Sequence, residues 1–256
     1  MKGGAALITG SSRGIGRGIA LALAEAGFSI GLNAEAPSEE LNRTVDEVAR
    51  HGTPSVAVVG DVSELDQHER MLDEAEAALG PLTTLVNNAG VSALRRGDLL
   101  EVTPESYDRC QSINTRGAFF LTQAFARRVL LRPRDPARHY SVITVSSANA
   151  TAVSILRGEY CVSKAGTSMM SRLFAVRFGA EDVGSYEIQP GVIETDMTAP
   201  VRDSYRERIR NGLTVAPRLG TPQDIASVAL AMATGQLAFC TGQAVQADGG
   251  LLIPRF

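Results

Sequence analysis

The chain has 256 residues, of which 44% are hydrophobic and 21% are charged, and its formal net charge at pH 7 is −3. This composition is typical of a soluble globular protein and excludes a disordered, collagen-like or coiled-coil chain. The slight acidic excess argues against nucleic acid as a partner, because that would need clustered basic residues. Of the 25 basic residues, all but Lys2 and Lys164 are arginine.

Apolar runs of β type alternate with amphipathic helical patterns along the chain. Strands are predicted at residues 5–9, 28–33, 55–60, 82–87, 140–146, 185–189 and 244–247. Helices are predicted at 15–26, 38–50, 63–79, 104–131 and 159–178, with Ser38, Ser63 and Thr103 as N-caps and Gly27 closing the first. Such apolar strands separated by helices predict an α/β fold with a parallel sheet covered on both faces.

No linker, repeat or low-complexity block divides the chain, so residues 1–256 are predicted to form a single doubly wound domain. The long connection 191–219 is predicted to close over a ligand. Its apolar lining is expected to include Met197, Val201, Tyr205 and Leu213.

The cysteines and histidines give no sign of a disulfide framework or a metal site. Cys110, Cys161 and Cys240 are far apart and form no C-x-x-C, which is typical of a reducing compartment. The three histidines show no zinc-ligand spacing, and no apolar run is long enough for a membrane span. We expect a cytoplasmic protein without metal or membrane partners.

Residues 9–16, with the sequence TGSSRGIG, join the first strand to the first helix. Glycines at such a turn let the backbone approach a pyrophosphate, and the helix N-terminus attracts its charge. Five further short motifs follow in chain order. They are Asp61-Val62, Asn87-Asn88-Ala89-Gly90, the pair Asn114 and Ser147, Tyr160-x-x-x-Lys164 and Pro190-Gly191.

With this set in this order, the chain resembles the short-chain dehydrogenases/reductases over essentially its whole length. Residues 9–16, 160–166, 189–197 and 248–250 are most similar to the 3-oxoacyl-[acyl-carrier-protein] reductases of that family. The resemblance implies a seven-stranded Rossmann-like sheet of order 3-2-1-4-5-6-7. It also implies nicotinamide-dependent hydride transfer between a carbonyl and a secondary alcohol, with 3-oxoacyl thioester reduction as the favoured reaction. The cofactor half is then expected in about residues 1–150, and the catalytic and substrate-loop half in about residues 151–256.

The catalytic residues implied by the resemblance are Asn114, Ser147, Tyr160 and Lys164. Tyr160 and Lys164 lie at i and i+4, so they share one helix face. A phenol has an ordinary pKa near 10, which a neighbouring ammonium and a cationic nicotinamide would lower toward the working range. Ser147 would hold the substrate oxygen. The family role of Asn114 is to bend its helix and anchor a water.

The resemblance also implies the cofactor-binding residues. Besides Tyr160 and Lys164, they are Gly10, Ser12, Arg13, Gly14, Ile15, Gly16, Asp61, Val62, Asn88, Ala89, Gly90, Pro190, Gly191, Ile193 and Thr195. The second strand ends near Ala34, where an NAD enzyme is expected to carry an acidic residue. Ala34 and the nearby Arg13 favour NADP(H) slightly, whereas Glu35 would suit the 2′-hydroxyl of NAD(H).

The substrate and the assembly follow less directly. Arginines that could receive an acyl carrier protein are Arg95, Arg96, Arg127, Arg128 and Arg132, although residues 179–182 read GAED where those reductases place a basic residue. A sugar or polyol dehydrogenase and a non-catalytic nucleotide sensor are the alternative functions. By resemblance, a homotetramer is expected, built on the helices that begin at Pro104 and Glu159 and on the tail 251–256.

Overall fold

The computed structural model describes residues 3–255, so Lys2, to which no role is assigned, and Phe256 lie outside the described residues. All strands found there belong to one sheet with parallel pairing throughout. They are β1 (Ala5–Ile8), β2 (Ser29–Ala34), β3 (Ser55–Val59), β4 (Thr84–Asn87), β5 (Tyr140–Val145), β6 (Val183–Pro190) and β7 (Ala244–Ala247). Their order, β3-β2-β1-β4-β5-β6-β7, confirms the predicted topology.

Eight α-helices connect these strands in the described residues. They are α1 (Gly14–Glu25), α2 (Glu39–Ala49), α3 (His68–Leu79), α4 (Pro104–Cys110), α5 (Ala118–Leu131), α6 (Gly158–Phe178), α7 (Arg202–Arg210) and α8 (Pro222–Ala233). The Ser38 and Thr103 side chains cap α2 and α4 as predicted. A π-helical turn, Gln111–Gly117, joins α4 to α5.

Two hydrophobic cores cover the two faces of the sheet. Ile8, Leu32 and Ile188 belong to the core that packs against α1, α2 and α8. Leu7 and Val142 face the other way, into the core shared with α3, α5 and α6. Adjacent residues of a strand thus enter opposite cores, which explains why the strands are apolar without alternation.

One predicted helix begins later than expected, and one helix of the structure was not predicted. The helix expected from Ser63 begins at His68, because the Ser63 hydroxyl and N–H both donate to the Asp61 carboxylate at 2.8 Å instead of capping a helix. Helix α8 was not predicted, although Thr221 and Asp224 form a capping box around Pro222 at its first turn.

The connection 191–219 contains more regular structure than its prolines suggest. It contains a 3₁₀ segment, Asp196–Val201, and helix α7. Pro200 is accommodated inside the 3₁₀ segment, where Thr195 and Thr198 form a capping box. The connection therefore stands at the carboxyl end of β6 as a short helical unit.

Candidate active site

The Gly-rich turn between β1 and α1 has the backbone that a pyrophosphate requires. Gly10 and Gly14 adopt φ of +60° and +57°, a region that strains residues with side chains. A Cβ on Gly16 would lie 2.3 Å from the Gly10 carbonyl oxygen. The N-cap Arg13 makes no side-chain cap hydrogen bond, which leaves the first N–H groups of α1 suited to an anion. Ser12 and Ile15 lie in the same turn.

The turn is braced by the residues that follow β4. Asn88 Nδ2 donates to the carbonyl oxygens of Thr9 and Gly10 at 2.8 and 2.9 Å. The backbone N–H groups of Asn88 and Ala89 both donate to Thr9 Oγ1 at 3.0 Å. The structure shows that Asn88 and Ala89 fix the shape of the turn, and their binding to the cofactor stays a prediction.

The residues predicted to bind the adenine edge lie after β3. Asp61 Oδ1 accepts both hydrogen bonds from Ser63 described above, so the carboxylate is oriented by its own loop. Val62 is buried, and its carbonyl oxygen lies 2.8 Å from Nε2 of the buried His68. These contacts hold Asp61 and Val62 in a fixed loop next to the end of β2, where an adenosine would lie.

The residues after β6 lie beside the same turn. Gly191 N donates to Ala247 O at 3.1 Å, and a Cβ on Gly191 would lie 2.7 Å from the Asp248 Cα. A Cβ on Gly14 would lie 3.5 Å from Thr195 Cγ2. The segment that contains Pro190, Gly191, Ile193 and Thr195 therefore extends from the carboxyl end of β6 to the Gly-rich turn, and its binding to the cofactor stays a prediction.

Asn114 lies in the π-helical turn between α4 and α5. Its Oδ1 accepts from Val91 N at 2.8 Å, and its Nδ2 donates to Val91 O at 3.0 Å and to Ser163 Oγ at 2.8 Å. The expected distortion of this helix thus takes the form of a π turn. The side chain ties the loop after β4 to α6, next to Lys164. A water-anchoring role stays a prediction.

The structure brings Ser147, Tyr160 and Lys164 together at the carboxyl end of β5. Tyr160 and Lys164 are buried one turn apart on α6, with exposed fractions of 8% and 5%. Lys164 Nζ donates to Val145 O at 3.0 Å and lies 5.8 Å from the centre of the Tyr160 ring. Ser147 caps the next turn by accepting from Asn149 N at 3.0 Å, and its hydroxyl is close enough to the Tyr160 phenol to lower the pKa of that phenol.

Burial dominates the electrostatics of this group. It raises the pKa of the Tyr160 phenol, against a hydrogen bond with Ser147 and the positive charge of Arg157, which lower it. Burial also lowers the pKa of Lys164 to about 8, against the carboxylate of Glu187, which raises it. Burial has the largest effect on the Tyr160 pKa, and Arg157 is the cation that lowers it. The lowering expected from Lys164 together with a cationic nicotinamide stays a prediction.

Two charged residues at the site were missed by the sequence predictions. The Arg157 guanidinium carbon lies 5.1 Å from the centre of the Tyr160 ring, and its Nη2 donates to Asn149 Oδ1 at 2.6 Å. Glu187 is 1% exposed in β6. The signals were the three-residue spacing from Arg157 to Tyr160 and a glutamate inside a buried strand.

Metal ligands and membrane spans are the remaining site classes. Among residues 3–255, no group of three or more His, Cys, Asp or Glu side chains could hold a metal ion. In that same part of the chain, no helix is long and apolar enough to cross a membrane.

Comparisons with known proteins agree with this geometry. A family model described as Enoyl-(Acyl carrier protein) reductase matches residues 9–252. Over 246 residues the chain is 31% identical to a 3-oxoacyl-[acyl-carrier-protein] reductase of Staphylococcus aureus, which covers 96% of this chain and 97% of the relative.

Two solved structures extend the comparison. A 3-oxoacyl-[acyl-carrier protein] reductase of Brucella melitensis in complex with NAD has a TM-score of 0.96 at 35% identity, with both chains covered completely. A gluconate 5-dehydrogenase of Burkholderia cenocepacia in complex with NADP and tartrate has a TM-score of 0.90 at 28% identity, covering 100% of this chain and 97% of the other. The chain therefore belongs to the short-chain dehydrogenase/reductase family and is an oxidoreductase that acts on carbonyl and alcohol groups.

Proposed function

We propose that the chain reduces the 3-oxo group of an acyl thioester with a nicotinamide cofactor as the hydride donor. The observation that carries the proposal is the grouping of Ser147, Tyr160 and Lys164 at the sheet edge that also carries the Gly-rich turn. Similarity to 3-oxoacyl-[acyl-carrier-protein] reductases supports the choice of substrate.

The backbone of the Gly-rich turn would hold the cofactor pyrophosphate, and Asp61 and Val62 the adenine edge. Lys164 would hold the nicotinamide ribose, and Pro190, Ile193 and Thr195 the carboxamide. The cofactor, when bound, supplies or takes up the hydride. Lys164 suits a ribose because a compact ammonium can donate to two hydroxyls at once, which a planar guanidinium does less well.

Ser147 and Tyr160 would act on the substrate oxygen. Their hydroxyls donate to the carbonyl oxygen and stabilise the negative charge that develops when the carbon gains a hydride. Tyr160 then gives its proton to that oxygen, so one hydride and one proton convert the ketone to an alcohol. A phenol with a raised pKa is fully protonated at neutral pH, which suits the direction of reduction.

Arg157 is expected to tune this proton transfer. Because its charge lowers the pKa of Tyr160, an Arg157→Met variant should raise it further. The acidic limb of kcat/KM for alcohol oxidation, where Tyr160 must lose its proton, should move to higher pH by roughly half a unit to one unit.

Arg172→Met is the matched control. Arg172 is exposed on the same helix, 15 residues or about 22 Å further along. An unchanged limb in the Arg157 variant, or an equal shift in both variants, would contradict this role.

We propose that the protein slightly prefers NADP(H) to NAD(H). β2 ends at Ala34 without an acidic side chain, and Arg13 is exposed at the turn, with its Nε 3.8 Å from Asp196. We expect a higher kcat/KM with NADPH, and a selective loss of that preference in Arg13→Ala. A preference for NADH of more than about tenfold would reverse the assignment.

Docking of acyl carrier protein rests on fewer arginines than the sequence offered. Arg128 and Arg132 form ion pairs with Glu69, Asp73 and Glu76 of α3, and Arg95 pairs with Glu101. Within residues 3–255, Arg96 and Arg127 are exposed and form no ion pair.

Arg96→Glu together with Arg127→Glu should therefore lower kcat/KM for acetoacetyl carrier protein while leaving a small acetoacetyl thioester unaffected. Equal rates with the carrier-linked substrate before and after the change would exclude docking at these residues.

A sugar or polyol dehydrogenase is the second candidate, favoured by the similarity to gluconate 5-dehydrogenase. Activity with polyols alone, without reduction of acetoacetyl thioesters, would select it. A nucleotide sensor without catalysis is the third candidate, and the intact grouping of Ser147, Tyr160 and Lys164 argues against it.

A homotetramer in the cytoplasm completes the proposal. Val162, Met169, Leu173 and Val176 form an exposed apolar stripe on one face of α6, where a second copy would pack. The cysteines of the described residues are free thiols, as a reducing compartment requires. A monomer by light scattering at micromolar concentration would contradict the assembly.

A further inference from the structure

Glu187 is a buried carboxylate to which neither the family pattern nor the proposed reaction assigns a role. It lies in β6 opposite Thr144 of β5, on the sheet face that α6 covers. With 1% of its surface exposed, a glutamate here is unfavourable unless hydrogen bonds and an opposite charge compensate for its burial.

Hydrogen bonds hold this carboxylate at both oxygens. Ser146 Oγ and Gln189 Nε2 donate to Oε1, the latter at 2.9 Å, and Ser168 Oγ donates to Oε2 at 2.8 Å. All three donors are themselves buried. These three donors hold the Glu187 carboxylate in one orientation.

Two of these donors, Ser146 and Ser168, lie close to Lys164. Ser146 lies between Val145 and Ser147 in the chain. The Val145 carbonyl oxygen accepts a hydrogen bond from the Lys164 ammonium. Ser168 lies one turn after Lys164 on α6 and directs its hydroxyl to the same carboxylate. The Glu187 carboxylate and the Lys164 ammonium are therefore held by adjacent buried residues at the carboxyl end of β5.

Few other titratable groups act on Lys164. Cys110 of α4 has its pKa raised to about 11 by burial and is a neutral thiol at working pH. Tyr160, on the same helix, is a neutral phenol there because its pKa is also raised. After burial, Glu187 has the largest effect on Lys164, and it raises the pKa of Lys164.

We propose that Glu187 is a positioning residue whose buried carboxylate keeps the ammonium of Lys164 protonated beneath Tyr160. The catalytic role of Glu187 rests on the proposed function, whereas its effect on the protonation of Lys164 does not. Without Glu187, the buried amine would lose the charge that offsets its desolvation, and a neutral amine would bind a ribose less well.

The small number of lysines makes a direct test possible. Protein labelled with ε-¹³C-lysine has two lysine resonances, and Lys2→Arg identifies which belongs to Lys164. In the unmodified protein, Lys164 should titrate with a pKa of about 8. Glu187→Gln, nearly equal in shape, should lower that pKa by about one unit.

Two further variants complete the titration. Ser168→Ala removes one hydrogen bond but keeps the Glu187 carboxylate. The pKa of Lys164 should therefore be close to its value in the unmodified protein. If circular dichroism shows that Glu187→Gln does not fold, Glu187→Ala serves as the second neutral variant. An unchanged Lys164 pKa in either folded neutral variant overturns the proposal.

Activity provides the second readout. For carbonyl reduction, the alkaline limb of kcat/KM should move to lower pH in Glu187→Gln and be restored in Glu187→Asp. Loss of activity without a change in the Lys164 titration would mean a purely structural role. Because the titration needs neither substrate nor cofactor, it distinguishes failure of this inference from failure of the proposed function.

Discussion

A Tyr160→Phe variant is expected to lose more than about 100-fold in kcat, the lower end for removal of a general acid. The variant removes only the hydroxyl that gives a proton to the substrate oxygen. The ring stays, so its packing against Arg157 and Lys164 is preserved. Cofactor affinity should therefore change little, since Lys164 and the Gly-rich turn are untouched.

The measurement is steady-state turnover together with cofactor binding by fluorescence titration. Tyr107→Phe is the matched control, because Tyr107 is 41% exposed on α4 and should leave kcat unchanged. Turnover of Tyr160→Phe equal to that of the unmodified protein would refute the assignment of the acid. It would return the nucleotide sensor to consideration.

The second large effect is expected for Lys164→Arg, although it keeps the positive charge. The lysine occupies a closed space: its Nζ donates to Val145 O at 3.0 Å and lies 3.3 Å from where a Cβ on Gly90 would stand. A guanidinium is wider and flat, so it must displace one of these neighbours. We expect a loss of about 100-fold in kcat/KM and about 1–3 kcal/mol of stability from overpacking.

Lys2→Arg makes the same chemical change at the other lysine and serves as the control. Thermal unfolding separates the stability effect from the catalytic one. If Lys164→Arg retained kcat/KM within about threefold, a compact ammonium would not be what the site requires.

The fold was largely predictable because its signals are local. Ser38 and Thr103 cap the helices expected of them, and the glycines at 10 and 14 adopt the positive φ that their turn needs. Helix α8 carried an equally local signal in the Thr221–Asp224 capping box, which the predictions did not use.

The partners of the site residues were less predictable, because they come from distant parts of the chain. Asn114 is fixed by Val91 and Ser163, which pattern alone does not bring together. The balance of charges at Tyr160 depends on Arg157 and on burial, so the sign of its pKa shift could not be read from the four-residue spacing to Lys164.

The most direct test of the proposed function is the reduction of an acetoacetyl thioester by the purified protein, followed by the near-ultraviolet absorbance of the reduced cofactor. A polyol panel with the oxidised cofactor is measured in parallel. We expect the thioester to be consumed with one cofactor oxidised per 3-hydroxyacyl product, and Tyr160→Phe to lower the rate by more than about 100-fold. Turnover of polyols alone, or no turnover of any carbonyl or alcohol, would contradict it.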